Sequence, residues 1–183
     1  MAKPKTANPW DRRAARYDSI GLRGERLIVG DSRAWLCERA TGRTLEVAAG
    51  TGRNFSFYPP DVTLVAIDSS AGMLDEARSR AARLGREIEI SQADAEALPY
   101  ADSSFDAVVC TLALCSVADR AGALAEMYRV LRPGGLVLLL DHYERRWRQE
   151  ARPAELALRQ GFVAEQRRRL RLGLIERIAA RRP

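Results

Sequence analysis

Residues 45–57 read LEVAAGTGRNFSF, an apolar run that passes directly into a turn bearing Gly50 and Gly52. The pattern is that of a strand delivering a loop. Gly50 and Gly52 lack a Cβ, so the main chain there is free to take positive φ and to let a ligand come close to the backbone. A second apolar run, Thr63 to Ile67, ends at Asp68, sixteen residues beyond Gly52. At that distance an acidic side chain closing the next strand meets the hydroxyls of a ribose. A glycine turn followed by an acidic strand end therefore points to a nucleoside.

Two nucleotide signatures are excluded by what surrounds the turn. A dinucleotide site needs a third small residue three positions after the second glycine, and Phe55 stands there. No Gly-Lys-Ser/Thr follows, so the chain has no phosphate-binding P-loop. Glu46, Gly50 and Gly52 instead resemble the first motif of class I S-adenosylmethionine (SAM) methyltransferases, with Ala48 where that family usually has glycine.

Composition bounds the class of protein. The chain has 183 residues, 46% hydrophobic and 30% charged, with a net charge of +6, which suits a single soluble domain with a core of its own. The expected division is a flexible tail over residues 1–9, read from MAKPKTANP, and one folded domain over 10–183. The longest apolar run, Leu136 to Leu140, is far short of the ~18 residues a membrane span needs. No apolar stretch follows the basic amino terminus as a secretory signal would require, so a cytoplasmic location is expected. Cys37, Cys110 and Cys115 show no metal-ligand spacing and sit among apolar residues, as reduced core thiols do; no metal is expected. Arginines crowd the last third, including Arg145, Arg146, Arg148 and Arg167 to Arg169. They suit an anionic membrane surface, nucleic acid or plain solubility, with nucleic acid the weaker partner.

Read in order, the chain alternates strands and helices. Trp10 and Tyr17 lie seven apart, on one face of a short helix. Leu27, Ile28, Trp35 and Leu36 mark an amphipathic helix expected to end at Thr41-Gly42. Asn54, in the glycine turn, points back toward the loop. Ser69 or Ser70 caps a helix carrying Met73, Ala77, Ala81 and Leu84, closed by Gly85. A third strand, IEISQAD, ends at Asp94 with Ala95 next, and a fourth begins at Asp106 and carries Thr111 and Leu112 past its carboxyl end. Asp119 caps the next helix, the LRPGG turn leads to a fifth strand, Leu136 to Asp141, and two strands around Leu172-Gly173 close the chain. The result is a doubly wound, Rossmann-like α/β sheet of seven mostly parallel strands with a carboxyl-terminal antiparallel strand.

The methyltransferase resemblance assigns roles to these positions. It implies SAM as cofactor, held by Glu46, Ala48, Gly50, Gly52, Asn54, Asp68, Ser69, Met73, Asp94, Ala95, Thr111 and Leu112. Asp94 would accept from the adenine amine, which a carboxylate can do and a donor cannot. Tyr17-Asp18 stands where the family closes a helix over the cofactor, and His142 follows the fifth strand where a general base would face the acceptor. NFSFYPP and VVCTLALCSV resemble a group containing membrane-associated thiol methyltransferases and, more loosely, phospholipid N-methyltransferases and quinone-ring methyltransferases. The expected reaction is methyl transfer to a lipid-like or small-molecule acceptor: a phospholipid amine, thiol, phenol or quinone precursor. An RNA-binding methyltransferase and a nucleoside-binding module without catalysis are the alternatives. Arg145, Arg146, Trp147 and Arg148 after strand five suit an acceptor presented by an anionic surface.

Overall fold

A computed structural model describes residues 8–18, 28–142 and 152–183. Its strands are β1 (Arg43–Val47), β2 (Thr63–Asp68), β3 (Glu89–Gln92), β4 (Phe105–Thr111), β5 (Leu131–His142), β6 (Val163–Leu170) and β7 (Ile175–Arg181). The helices are α1 (Ser32–Cys37), α2 (Ala71–Leu84), α3 (Arg120–Val130) and α4 (Pro153–Arg159), preceded by a helical segment at 14–18. The strands form one sheet in the order β3-β2-β1-β4-β5-β7-β6, parallel from β3 to β5, with β7 antiparallel to both neighbours. The expected α/β architecture is the observed one. From β1 the order runs outward in both directions, to β2 on one side and β4 on the other, and that reversal opens a crevice above the strands' carboxyl ends.

Apolar side chains alternate across the sheet because successive strand residues point to opposite faces. Leu45, Val47, Val65 and Ile67 join Leu124 and Met127 of α3 on one face. Leu64, Ala66 and Val109 join Leu36 of α1 and Ala77 and Ala81 of α2 on the other. Caps set the helix ends. Ser70 Oγ accepts the Met73 N–H at 3.2 Å, Asp119 accepts the Gly122 N–H at 2.8 Å, and Gly85 ends α2 at φ 62.

Three local expectations are corrected. Residues 28–29 are helical, but Gly30 turns the chain at φ 57 and α1 then stops at Cys37, short of Thr41-Gly42. Ile28 is exposed, and Leu27 lies outside the described residues. Gly42 serves the sheet instead of a helix: a Cβ there would lie 2.4 Å from Asp106 Oδ2, the atom that accepts the Arg43 N–H. Leu84, at helical spacing with the buried residues of α2, is exposed as the last residue of the helix, directly before Gly85. The third strand stops at Gln92, two residues short of the expected Asp94. β4 runs to Thr111, where Leu112 takes φ 54 and ends it, and a 3-10 turn, Leu114–Ser116, follows. Arg145, Arg146, Trp147 and Arg148 lie outside the described residues.

Candidate functional site

The crevice is a cleft of about 910 Å³ lined from both sides of β1. β1 ends in the quoted turn. There Ala48 has φ 54, Gly50 φ 57 and Gly52 φ 75. A Cβ on Gly52 would sit 2.4 Å from Phe55 Cε2, so the ring of the fully buried Phe55 occupies the space a side chain would take. Phe55 thus replaces the third small residue of a dinucleotide turn by packing beneath the second glycine.

Asp68, at the end of β2, ties this turn to the next. Its Oδ2 accepts the Gly50 N–H at 2.8 Å and its Oδ1 the Ser70 N–H at 2.8 Å. Burial pushes its carboxyl upward, against the lowering effect of those two backbone donors. Across the cleft, Asp94 follows β3 on the surface, its Oδ1 accepting the Glu96 N–H at 3.0 Å, and Ala95 is beside it. The floor comes from Thr111, whose Oγ1 accepts from Asn54 Nδ2 and Arg33 Nη1, both at 2.9 Å, and from Leu112.

The first described residues cover the opening. Asn8 donates to Ser69 Oγ at 3.0 Å, so Asn8 and Pro9, the described residues of the expected tail, line the site. Asp11 accepts from Ser70 Oγ at 2.5 Å and from the Gly72 N–H at 3.1 Å. Asp18 accepts from Thr51 Oγ1 at 2.9 Å, from Arg53 Nε at 2.8 Å and from Arg80. Burial raises its carboxyl, but the Arg53, Thr51 and Arg80 contacts outweigh burial and hold it below its usual range. Tyr17 faces the cleft, packed edge-on to Trp10 with ring centres 6.1 Å apart and with Arg53 4.6 Å from its ring.

Of the residues singled out from sequence, Tyr17, Ala48, Gly50, Asp68, Ser69, Met73, Asp94, Ala95, Thr111 and Leu112 all line this one cleft. Glu46, Gly52 and Asn54 stand behind its wall. Glu46 is fully buried, accepting Asn54 Nδ2 at 3.0 Å and Tyr58 Oη–H at 2.8 Å. His142 ends β5 away from the lining. Its Nδ1 lies 3.3 Å from Asp141 Oδ1. That contact, and then Cys115, push the imidazole up to about 11. Contacts that favour the protonated imidazole work against the base role. Sequence reasoning missed Arg33, which reaches the cleft floor from α1, and Arg53, which anchors the cover. A single arginine in a short helix carries no local signal for Arg33, whereas Arg53 sits inside the quoted turn.

Ala48 and Leu112, both lining the cleft, hold left-handed φ values of 54. For a residue with a Cβ that conformation costs roughly 1–2 kcal/mol, and such strain gathers where a chain must meet a ligand. Ala48→Gly is expected to raise unfolding free energy by roughly 0.5–1 kcal/mol, the relief less the extra chain entropy of glycine. Urea unfolding checks this; a net loss would show that the Ala48 methyl, packed against the core, matters more than the strain.

The methyltransferase domain model matches residues 45–139, more than half of the chain. Demethylmenaquinone methyltransferase of Deinococcus radiodurans is 40% identical over 139 residues, 70% of this chain and 56% of the relative. Ubiquinone/menaquinone biosynthesis C-methyltransferase of Hahella chejuensis is 38% identical over 148 residues, 74% of this chain and 58% of the relative. The chain thus spans little more than half the length of these relatives. Among solved structures, the methyltransferase in complex with the Trm112 activator of Haloferax volcanii superposes with a TM-score of 0.78 at 16% identity, covering 98% of this chain and 100% of that one. A SAM-dependent methyltransferase of Aquifex aeolicus gives 0.73 at 17% identity, covering 94% and 98%. At those identities the likeness is one of fold.

Proposed function

The chain belongs to the methyltransferase domain family, with S-adenosylmethionine as its methyl donor, and from that premise we propose that it methylates a lipid-like acceptor whose reacting group is an aromatic ring of the quinone-precursor kind. SAM brings a methyl group on a sulfonium, which leaves as a neutral thioether. The donor set fits it: Asp68 would hold the ribose hydroxyls, Asp94 with the Ala95 N–H the adenine, and the backbone around Ala48 and Gly50 the amino-acid end. The covering residues Trp10 and Tyr17 exclude water, and holding the acceptor in line is the main task left to the protein.

The observation that carries the acceptor class is the apolar part of the cleft lining. Beside the polar Asp68 and Asp94 it includes Leu112, Ala113, Val117 and Ala118, which suits an apolar, planar molecule. The names of the two bacterial relatives support a quinone-type ring. Contact with an anionic membrane, where such an acceptor resides, is supported by the tip of the β6–β7 hairpin, where Leu172 is fully exposed and Leu174 largely so beside Arg168 and Arg169. No helix among the described residues is long and apolar enough to cross a membrane.

The test offers labelled SAM with prenylated quinol precursors in anionic or neutral vesicles, alongside phospholipids, small thiols, phenols and RNA. Label is expected on the quinol, faster in anionic vesicles and slowed by salt. Label confined to a soluble thiol or phenol, or to RNA with steeply salt-dependent binding, would reject the lipid-like acceptor.

A further inference from the structure

Beside the cleft, at the carboxyl ends of β4 and β5, the structure brings together three residues of different chemistry. Cys115 Sγ, a carboxylate oxygen of Asp141 and an imidazole nitrogen of His142 all lie within 4.8 Å of one another. Cys115 sits in the 3-10 turn after β4, and Asp141 and His142 are the last two residues of β5. Backbone contacts fix the approach. Asp141 Oδ2 accepts the Cys115 N–H at 3.2 Å, and Oδ1 accepts the His142 N–H at 2.7 Å. The Leu112 N–H, donated to the Leu140 carbonyl at 2.6 Å, folds the turn across the end of β5. Asp141 is 3% exposed, whereas Cys115 and His142 are half-buried, so the cluster is anchored on one side and open on the other.

We propose that Cys115, Asp141 and His142 form a binding site for a thiophilic divalent cation of the zinc type. Zinc takes sulfur at ~2.3 Å and nitrogen or oxygen at ~2.0–2.2 Å, which sets its ligand atoms on the order of 3.5 Å apart in a tetrahedron. One pair, His142 Nδ1 and Asp141 Oδ1 at 3.3 Å, stands at that spacing and all three atoms lie within 4.8 Å of one another, so side-chain rotations that draw them together complete the set. A mixed sulfur, nitrogen and oxygen set selects a borderline-soft ion and disfavours magnesium or calcium, which take oxygen ligands. Closed structural zinc sites use four protein ligands; three leave one position open. That position would take a thiolate, an oxygen or water, and Ser116 and Val117, which follow Cys115 in the chain, line the cleft. On binding, the Cys115 thiol proton, now directed at the Leu112 carbonyl at 3.7 Å, and the proton of the ligating imidazole nitrogen pass to solvent, and no bond to carbon is made or broken. The site does not depend on which acceptor is methylated.

The full chain, purified with a reductant and stripped with a chelator, is titrated with Co²⁺ and then Zn²⁺. One equivalent of Co²⁺ is expected, with a thiolate-to-cobalt charge-transfer band in the near ultraviolet and visible bands of four-coordinate cobalt, all removed by Zn²⁺. Cys115→Ser should abolish the charge-transfer band although Cys37 and Cys110 remain. His142→Ala should keep that band but weaken Co²⁺ binding at least about tenfold. A second measurement needs no variant: Zn²⁺ should protect Cys115 from iodoacetamide, with the modified peptide identified by mass. Cobalt bound without a thiolate band, a band that survives in Cys115→Ser, or alkylation of Cys115 unaffected by Zn²⁺ would each overturn the site.

Discussion

Replacing Asp68 with alanine is expected to weaken S-adenosylhomocysteine binding roughly tenfold to a hundredfold, since a hydrogen bond to a charged acceptor contributes about 1.5–3 kcal/mol. Asp68 is the carboxylate at the end of β2 and one wall of the cleft. Two effects would combine in Asp68→Ala. The ribose hydroxyls lose their acceptor, and the Gly50 and Ser70 N–H groups lose theirs, which loosens both turns. Asp68→Asn separates the two, because its carbonyl oxygen still accepts one N–H. The decisive comparison is a cycle of wild type and Asp68→Asn with the ligand and its dideoxyribose analogue, by calorimetry. Wild type should discriminate strongly between the two ligands and the variant weakly. Equal discrimination by both proteins would place the ribose elsewhere.

Glu46→Gln is expected to remove most of a pH-dependent loss of stability amounting to up to about 3 kcal/mol in the wild type. Glu46 lies on β1 under the glycine turn with no exposure of consequence. Burial raises its carboxyl from 4.5 to about 7, partly opposed by the hydrogen bond from Tyr58, by Arg33 and by Asn54. A raised folded-state value means that the ionised form is the one folding disfavours. The contribution of the protonated group is therefore fully present below about pH 4.5 and is lost as pH rises through about 7. Glutamine copies the protonated state, with an oxygen toward Asn54 Nδ2 and an amide N–H toward Tyr58 Oη. Urea unfolding at several values between pH 4.5 and 8 should show the wild type losing stability relative to Glu46→Gln as pH rises. Parallel profiles for the two proteins would show that Glu46 is ionised throughout. In this chain Glu46 stands behind the cleft wall and accepts hydrogen bonds from Asn54 and Tyr58.

The amino-acid sequence by itself determined the strand and helix alternation, the glycine turn, the acidic residue closing β2 and the acidic residue that follows β3. It also determined the caps at Ser70 and Asp119, the stop at Gly85 and the closing hairpin. Each is written in a window of a few residues, where hydrophobic period, cap chemistry and glycine's tolerance of positive φ act locally. The same locality explains the failures. Helix α1 is shorter than its apolar positions suggest because Gly30 breaks the pattern they continue, and β3 stops at Gln92 although the alternation runs on to Asp94.

Only the tertiary structure decided which of the motif residues face the cleft and which support it. Glu46 and Gly50 are four positions apart in one motif, yet one is sealed under the sheet and the other lines the opening, since pleat and turn direct them oppositely. Arg33 reaches Thr111, and Asp18 reaches Arg53 and Arg80, across separations that leave no trace in local pattern. Cys115 meets Asp141 and His142 for the same reason: adjacent parallel strands bring their carboxyl ends together whatever the length of the helix that joins them. Side-chain type and period are properties of neighbours along the chain, whereas a site is assembled from neighbours in space, and the sheet order is what converts one into the other.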